Sequence, residues 1–153
     1  MTISQTINAL KRASVALGAI ALSVSSGAAA QNAACLSYEP KVVTLRGVIV
    51  RHLDYGAPGF GEDPRHDAKE RYWRLRLDAP ICVSGTASDD PETGGSESGV
   101  QQLQIVFMGS YPSRTWIGHH VSMSGTLFHA FTGHHHTQVL IQYESMKRAG
   151  SAD

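Results

Sequence analysis

The stretch KVVTLRGVIVRHLD, residues 41–54, decides how the fold is read. Its apolar side chains recur with period two, the spacing of a β-strand. Val43, Leu45 and Ile49 fall on one face, and Val42, Val48 and Val50 on the other. Both faces are partly apolar, as in a strand that curves through a barrel. Gly47 lies mid-strand, where a glycine marks a bulge or a sharp bend.

The same period recurs four more times. RYWRLRLD, residues 71–78, places Trp73, Leu75 and Leu77 inward and Tyr72, Arg74 and Arg76 outward, and PICVS continues it. VQQLQIVFM, residues 100–108, aligns Leu103, Ile105 and Phe107. HVSMSGTLFHAF, residues 120–131, aligns Val121, Met123, Leu127 and Phe131. TQVLIQYESM, residues 137–146, aligns Val139, Ile141 and Tyr143. Only YPSRTWIG, residues 111–118, fits a short turn or helix. The expected fold is all-β: a small five-stranded OB-like barrel, with an antiparallel β-sandwich as the alternative. Its core would gather around Trp73, Leu75, Leu77, Phe107, Leu127 and Ile141.

The last two strands are close in sequence and should form a hairpin. Opposed residues share a face, so register follows from parity. Odd residues point inward in both strands, which sets Leu127 opposite Ile141, His129 opposite Val139 and Phe131 opposite Thr137. The turn is then TGHHH, residues 132–136, and it carries His134, His135 and His136. His129 falls on the inward face.

Residues 1–30 read as a secretory signal peptide. Lys11 and Arg12 precede the small, apolar run ASVALGAIALSVSS, and AAA at 28–30 suits cleavage after Ala30. The run is short of the roughly 20 apolar residues of a membrane helix. QNAA before Cys35 lacks the leucine of a lipoprotein site, so no membrane anchor is expected. Residues 31–153 are expected to be one domain, periplasmic or secreted. Cleavage removes two basic residues and leaves eleven Lys and Arg against thirteen Asp and Glu. That balance argues against nucleic acid, whose binders carry a basic excess. Cys35 and Cys82, without Cys-x-x-Cys spacing, read as one structural disulfide of an exported chain. A zinc site using both thiolates is the weaker reading in an oxidising compartment.

Two long loops interrupt the strands, residues 55–70 and 85–99, and both are expected to be mobile. The second is acidic and too polar to bury anything. The first mixes aromatic residues with charge: Tyr55, Phe60, Glu62, Asp63, His66 and Asp67 are its candidate binding residues. Imidazoles are common metal ligands, so His134, His135 and His136, with His129, are the candidate set for zinc or copper (Zn or Cu). Catalysis has little support. No serine among Ser84, Ser110, Ser122 and Ser124 sits in a Gly-x-Ser-x-Gly elbow. The acidic pairs Glu62/Asp63 and Asp89/Asp90 lie in loops without the fixed geometry of acid–base work.

VVTLRGVIV, RYWRLRLDAPICV and VSMSGTLFHAFTGHHHTQVLI occur in this order over residues 42–143. Together they resemble a bacterial exported family, domain of unknown function 4431. The most specific part is Gly125-Thr126-Leu127-Phe128 followed by Thr132-Gly133-His134-His135-His136-Thr137. The resemblance implies a small periplasmic or secreted domain with the histidine loop as its hallmark, and it carries over no catalytic residue. The leading reading is a non-enzymatic binding or interaction module for an exported or cell-envelope protein. Metal binding is the alternative, and a hydrolase comes last.

Overall fold

The computed structural model describes residues 34–85, 90 and 94–150. The signal-peptide reading of residues 1–30 and residues 86–89 and 91–93 of the acidic loop fall outside them. The described residues form six strands: β1 (Leu36–Ser37), β2 (Val42–Tyr55), β3 (Lys69–Ser84), β4 (Glu97–Val106), β5 (His120–His129) and β6 (Val139–Arg148). A short 3-10 turn, Arg114–Trp116, lies between β4 and β5. The fold is all-β, as the period-two pattern requires.

Five of these strands close a ring. β3 pairs with β2, β2 with β5, β5 with β6, β6 with β4, and β4 returns to β3. All contacts are antiparallel except β4–β6. This is the small OB-like barrel expected from the sequence. The two-residue β1 is an addition that periodicity cannot reveal, and it lies parallel to the end of β3.

Closing so small a ring bends its strands hard. Gly47 is paired with Leu77 of β3 and Val121 of β5 at once, where β2 passes from one neighbour to the other. A Cβ there would stand 2.2 Å from the Arg76 carbonyl oxygen. Gly125 meets the same limit, 2.1 Å from the Gln142 oxygen, beside a bulge that skips Glu144. That bulge switches the inward side of β6 from odd to even: Tyr143 and then Met146 pack against the core. A single extra residue has this effect because side chains alternate strictly.

The core holds Leu45, Ile49, Trp73, Leu75, Leu103, Ile105, Val121, Met123, Leu127, Val139 and Ile141, with Leu77 and Phe107 at its margin. Leu127 pairs with Ile141 and His129 with Val139, the register expected from parity. Phe131 is a correction. β5 ends at His129, the chain leaves the ladder at Ala130, and Phe131 is 45% exposed. Tyr72 keeps the outward side expected of it, and it is nevertheless buried there. The stretch 85–99 also ends in strand, since β4 begins at Glu97.

Cys35 and Cys82 form a disulfide, with Cα atoms 4.7 Å apart. It fastens the segment before β1 to β3, so Leu36 can pair with Val83.

Two stability predictions follow from this architecture. Replacing both cysteines by serine should lower unfolding free energy by up to about 4 kcal/mol, the chain-entropy value for this loop length. Urea melts of the oxidised protein and the double variant measure it. Gly47→Ala should cost about 1–3 kcal/mol through the clash with β3 backbone. A Gly47→Ala midpoint equal to wild type would show that the ring has room there.

Candidate functional site

The two loops singled out in the sequence meet at one end of the barrel. The hairpin of β2 and β3 runs on beyond its contacts with β4 and β5: residues 53–55 pair only with residues 69–71. The connecting loop, residues 56–68, is organised by Asp67. This carboxylate is buried, and it accepts hydrogen bonds from the backbone of Gly59 (2.7 Å), Gly61 (2.8 Å) and Asp63 (3.2 Å). Burial works to raise the Asp67 pKa, but the three backbone donors and the nearby His66 outweigh it and hold it below the ordinary value. Asp67 is thus occupied inside its own loop rather than turned to a ligand. Asp63 and His66 pair with each other at 2.6 Å on the exposed side, and Glu62 is exposed. Tyr55 ends β2 opposite Lys69.

The histidine loop, residues 130–138, folds over the outer face of β3. Gln104 of β4 holds it as a peptide group would. Its amide donates to the His134 carbonyl (3.1 Å) and accepts from the His136 backbone N–H (2.7 Å). Thr137 adds a hydroxyl that accepts from the Gln104 backbone N–H at 2.9 Å. The loop therefore covers Tyr72, whose ring stacks on His136 with centroids 4.8 Å apart. Beneath it Tyr72, Arg74 and Asp54 form a polar cluster. The Tyr72 hydroxyl donates to Asp54 and accepts from Arg74, which also pairs with Asp54 at 2.9 Å. Burial, then the Asp54 hydrogen bond, pushes the Tyr72 phenol well above its ordinary pKa.

Glu70 joins the two loops. Its oxygens face His134 Nδ1 at 2.6 Å and His136 Nε2 at 2.8 Å. Partial burial works to raise its pKa, but the hydrogen bonds from His136 and His134 and their charge outweigh it and hold it below the usual carboxylate range. Phe60 makes the second link. Its ring lies edge-on to His134 and so close to Gly133 that a Cβ there would sit 2.6 Å away.

The four candidate metal ligands do not converge. His134 and His136 turn to Glu70. His135 turns back on its own loop: its Nδ1 accepts from the Phe131 N–H at 3.1 Å, and its ring rests on Phe128 and Phe131. His129 lies elsewhere, between Glu97 (3.0 Å) and the Ala130 carbonyl (3.0 Å). Both its ring nitrogens face oxygen acceptors. Among the described residues, no group of three or more His, Cys, Asp or Glu side chains is placed to hold a metal ion.

Sequence reasoning missed Glu70, Gln104, Asp54 and Tyr72. One signal pointed to them: two bulky aromatics in succession, Tyr72 and Trp73, place a large ring on each face of one strand. That is unusual for a face left to solvent.

Residues 102–147 match the family described as Domain of unknown function (DUF4431). The resemblance seen in the sequence therefore holds from the second half of β4 to β6 and takes in the histidine loop, while β1, β2 and β3 lie outside the match. No curated protein and no solved structure matches the chain.

The Glu70 clamp has a pH signature. A carboxylate whose folded pKa is depressed stabilises the fold above its unfolded pKa, here near 4.5. That contribution is lost as pH falls through the lower folded value. Glu70→Gln should therefore be less stable than wild type above about pH 4.5, by about 1 kcal/mol for a partly exposed pair. The gap should narrow on further acidification. Urea melts between pH 3 and pH 7 test it, and a gap that widens toward low pH would reverse the assignment.

Proposed function

We propose that this chain is exported and acts as a small binding module without catalytic activity. The histidine loop and the 56–68 loop form one recognition edge toward an exported or cell-envelope protein. The observation that carries the reading is the Glu70 clamp with Phe60 and Phe131 on the edge it fastens. Phe60 is 50% exposed and Phe131 45% exposed. Loops that only close strands need no such fastening, and large exposed rings on a fixed edge are the usual anchors of protein contacts. Phe60 also holds φ at 49°, in the left-handed region. A bulky residue pays roughly 1–2 kcal/mol for that conformation. Strain of this kind gathers where a side chain is being aimed.

Support for export comes from the Cys35–Cys82 disulfide, which persists in oxidising compartments, and from the leader-like start of the sequence. No helix among the described residues is long and apolar enough to cross a membrane. The histidine geometry favours a polar clamp over zinc or copper binding, because His134 Nδ1 and His136 Nε2 each meet an oxygen of Glu70.

A photo-crosslinking residue placed at Phe60 or Phe131 in the producing cell tests the edge. Both positions should yield the same adduct with one exported protein. The same group at Lys147, at the far end of the β5–β6 ladder, should yield none. Absence of an adduct from both aromatic positions would overturn the reading. Stoichiometric zinc or copper uptake by the untagged protein at pH 7.5, abolished by His134→Ala with His136→Ala, would replace it with the metal reading.

A further inference from the structure

The β2–β3 hairpin has a second face at its outer end, and among the described residues no carboxylate is ion-paired with the arginines there. Odd-numbered residues continue the core side of the sheet. Beyond the fully buried Ile49 and Leu75, Arg51 stands opposite Trp73 and Leu53 opposite Arg71. Arg51 and Arg71 are therefore diagonal neighbours on one face, roughly 7–8 Å apart. A third guanidinium, Arg114, comes from the 3-10 turn of the β4–β5 connector. That connector is seated on β2: the Gly118 N–H donates to the Ile49 carbonyl (2.8 Å), and the Ile49 N–H donates to the His119 carbonyl (3.1 Å). The turn reaches the sheet two residues before Arg51.

These three arginines border a cleft of about 460 Å³, together with Trp73, Tyr111 and Ser113. The size is within the range of small-molecule sites. Its aromatic floor is fixed in place. Trp73 packs edge-on against Phe107 (5.4 Å) and Tyr111 (6.1 Å), and Phe107 touches Tyr111 (4.8 Å) and Tyr143 (5.1 Å). Tyr111 is nevertheless 58% exposed.

The charge in the cleft is of one sign. Among the described residues no carboxylate forms an ion pair with Arg51, Arg71 or Arg114; most other lysines and arginines are unpaired too, and what sets these three apart is that they line one cleft. The whole chain has thirteen basic and thirteen acidic residues, so composition does not account for three unanswered cations in one cleft. Their mutual repulsion gives the fold nothing. A concave site lined by one sign of charge concentrates ligands of the other sign. Guanidinium groups match the paired oxygens of carboxylate and phosphate. The exposed Tyr111 ring suits the apolar face of a sugar ring, and the Ser113 hydroxyl suits its hydroxyls.

We propose that this cleft binds an acidic saccharide. Arg51, Arg71 and Arg114 hold its carboxylate or phosphate, and its ring lies on Tyr111. The site faces away from the histidine loop and stands whether or not that edge binds a protein. Calorimetry on the disulfide-bonded protein at low salt tests it, with trigalacturonate and glucose 6-phosphate as the carboxylate and phosphate probes. Maltotriose and glucose are their neutral counterparts, and inorganic phosphate is the bare anion. At least one acidic sugar should bind saturably, about tenfold or more tighter than its neutral counterpart and than phosphate. Arg51→Ala and Arg71→Ala should each weaken it about tenfold or more, the loss expected for one charged hydrogen-bonding partner. Tyr111→Ala should weaken it severalfold. Arg76→Ala, on the outer face, should leave binding unchanged, and thermal melts confirm that each variant folds. The proposal is overturned if neither acid binds below about 10 mM, a range weaker than ordinary specific sites. It is equally overturned if neutral sugars or phosphate bind as well as the acids, or if the arginine variants bind as wild type.

Discussion

Ring closure leaves no space at Gly47, and much of the molecule is arranged around that fact. β2 must serve β5 with its first half and β3 with its second, and the change of partner happens where a side chain would strike the neighbouring backbone. After that corner β2 is free of β5. It carries β3 out beyond the barrel as a two-stranded arm. An isolated hairpin is marginally stable in water, so the arm persists because each face is covered from another part of the chain. The histidine loop covers the even face. The β4–β5 connector covers part of the odd face.

The two faces treat charge in opposite ways. On the even face of the arm, Arg74 pairs with Asp54, and Glu70 with His134 and His136. Tyr72 lies buried among them, and its raised phenol pKa reflects a group kept neutral by burial and by a carboxylate neighbour. A closed polar network of this kind rigidifies a loop. The odd face keeps Arg51 and Arg71 beside an aromatic floor, with no carboxylate ion-paired to them among the described residues. One arm thus combines a self-satisfied polar surface with an unsatisfied cationic one.

Much of the fold was legible because alternation is a direct record of which face is buried. The strands, the β5–β6 register, the bend at Gly47 and the disulfide all follow from period two, parity and cysteine count. Phe131 misled because parity holds only while the ladder continues, and the ladder ends two residues earlier. The burial of the outward Tyr72 was hidden for a different reason. A loop distant in sequence covers it, and no local pattern records that. Of the site, the two loops were legible as unusual. Their fastening was not: Glu70 looks like any strand-edge carboxylate until the hairpin places it under His134.

The histidine run itself shows why residue type is a weaker guide than geometry. Three consecutive imidazoles suggest a shared ligand, yet consecutive residues in a tight loop point in different directions. His134 and His136 share a side and find the same carboxylate. His135, between them, must face away, and it settles on Phe128 and Phe131 while accepting a backbone N–H. Alternation therefore splits the run into a clamp and a prop. The prop supports the Phe131 side of the edge, and the clamp ties the edge to the arm. A loop built in this way keeps its backbone fixed while leaving Phe60 and Phe131 outside, the disposition that a rigid contact surface requires.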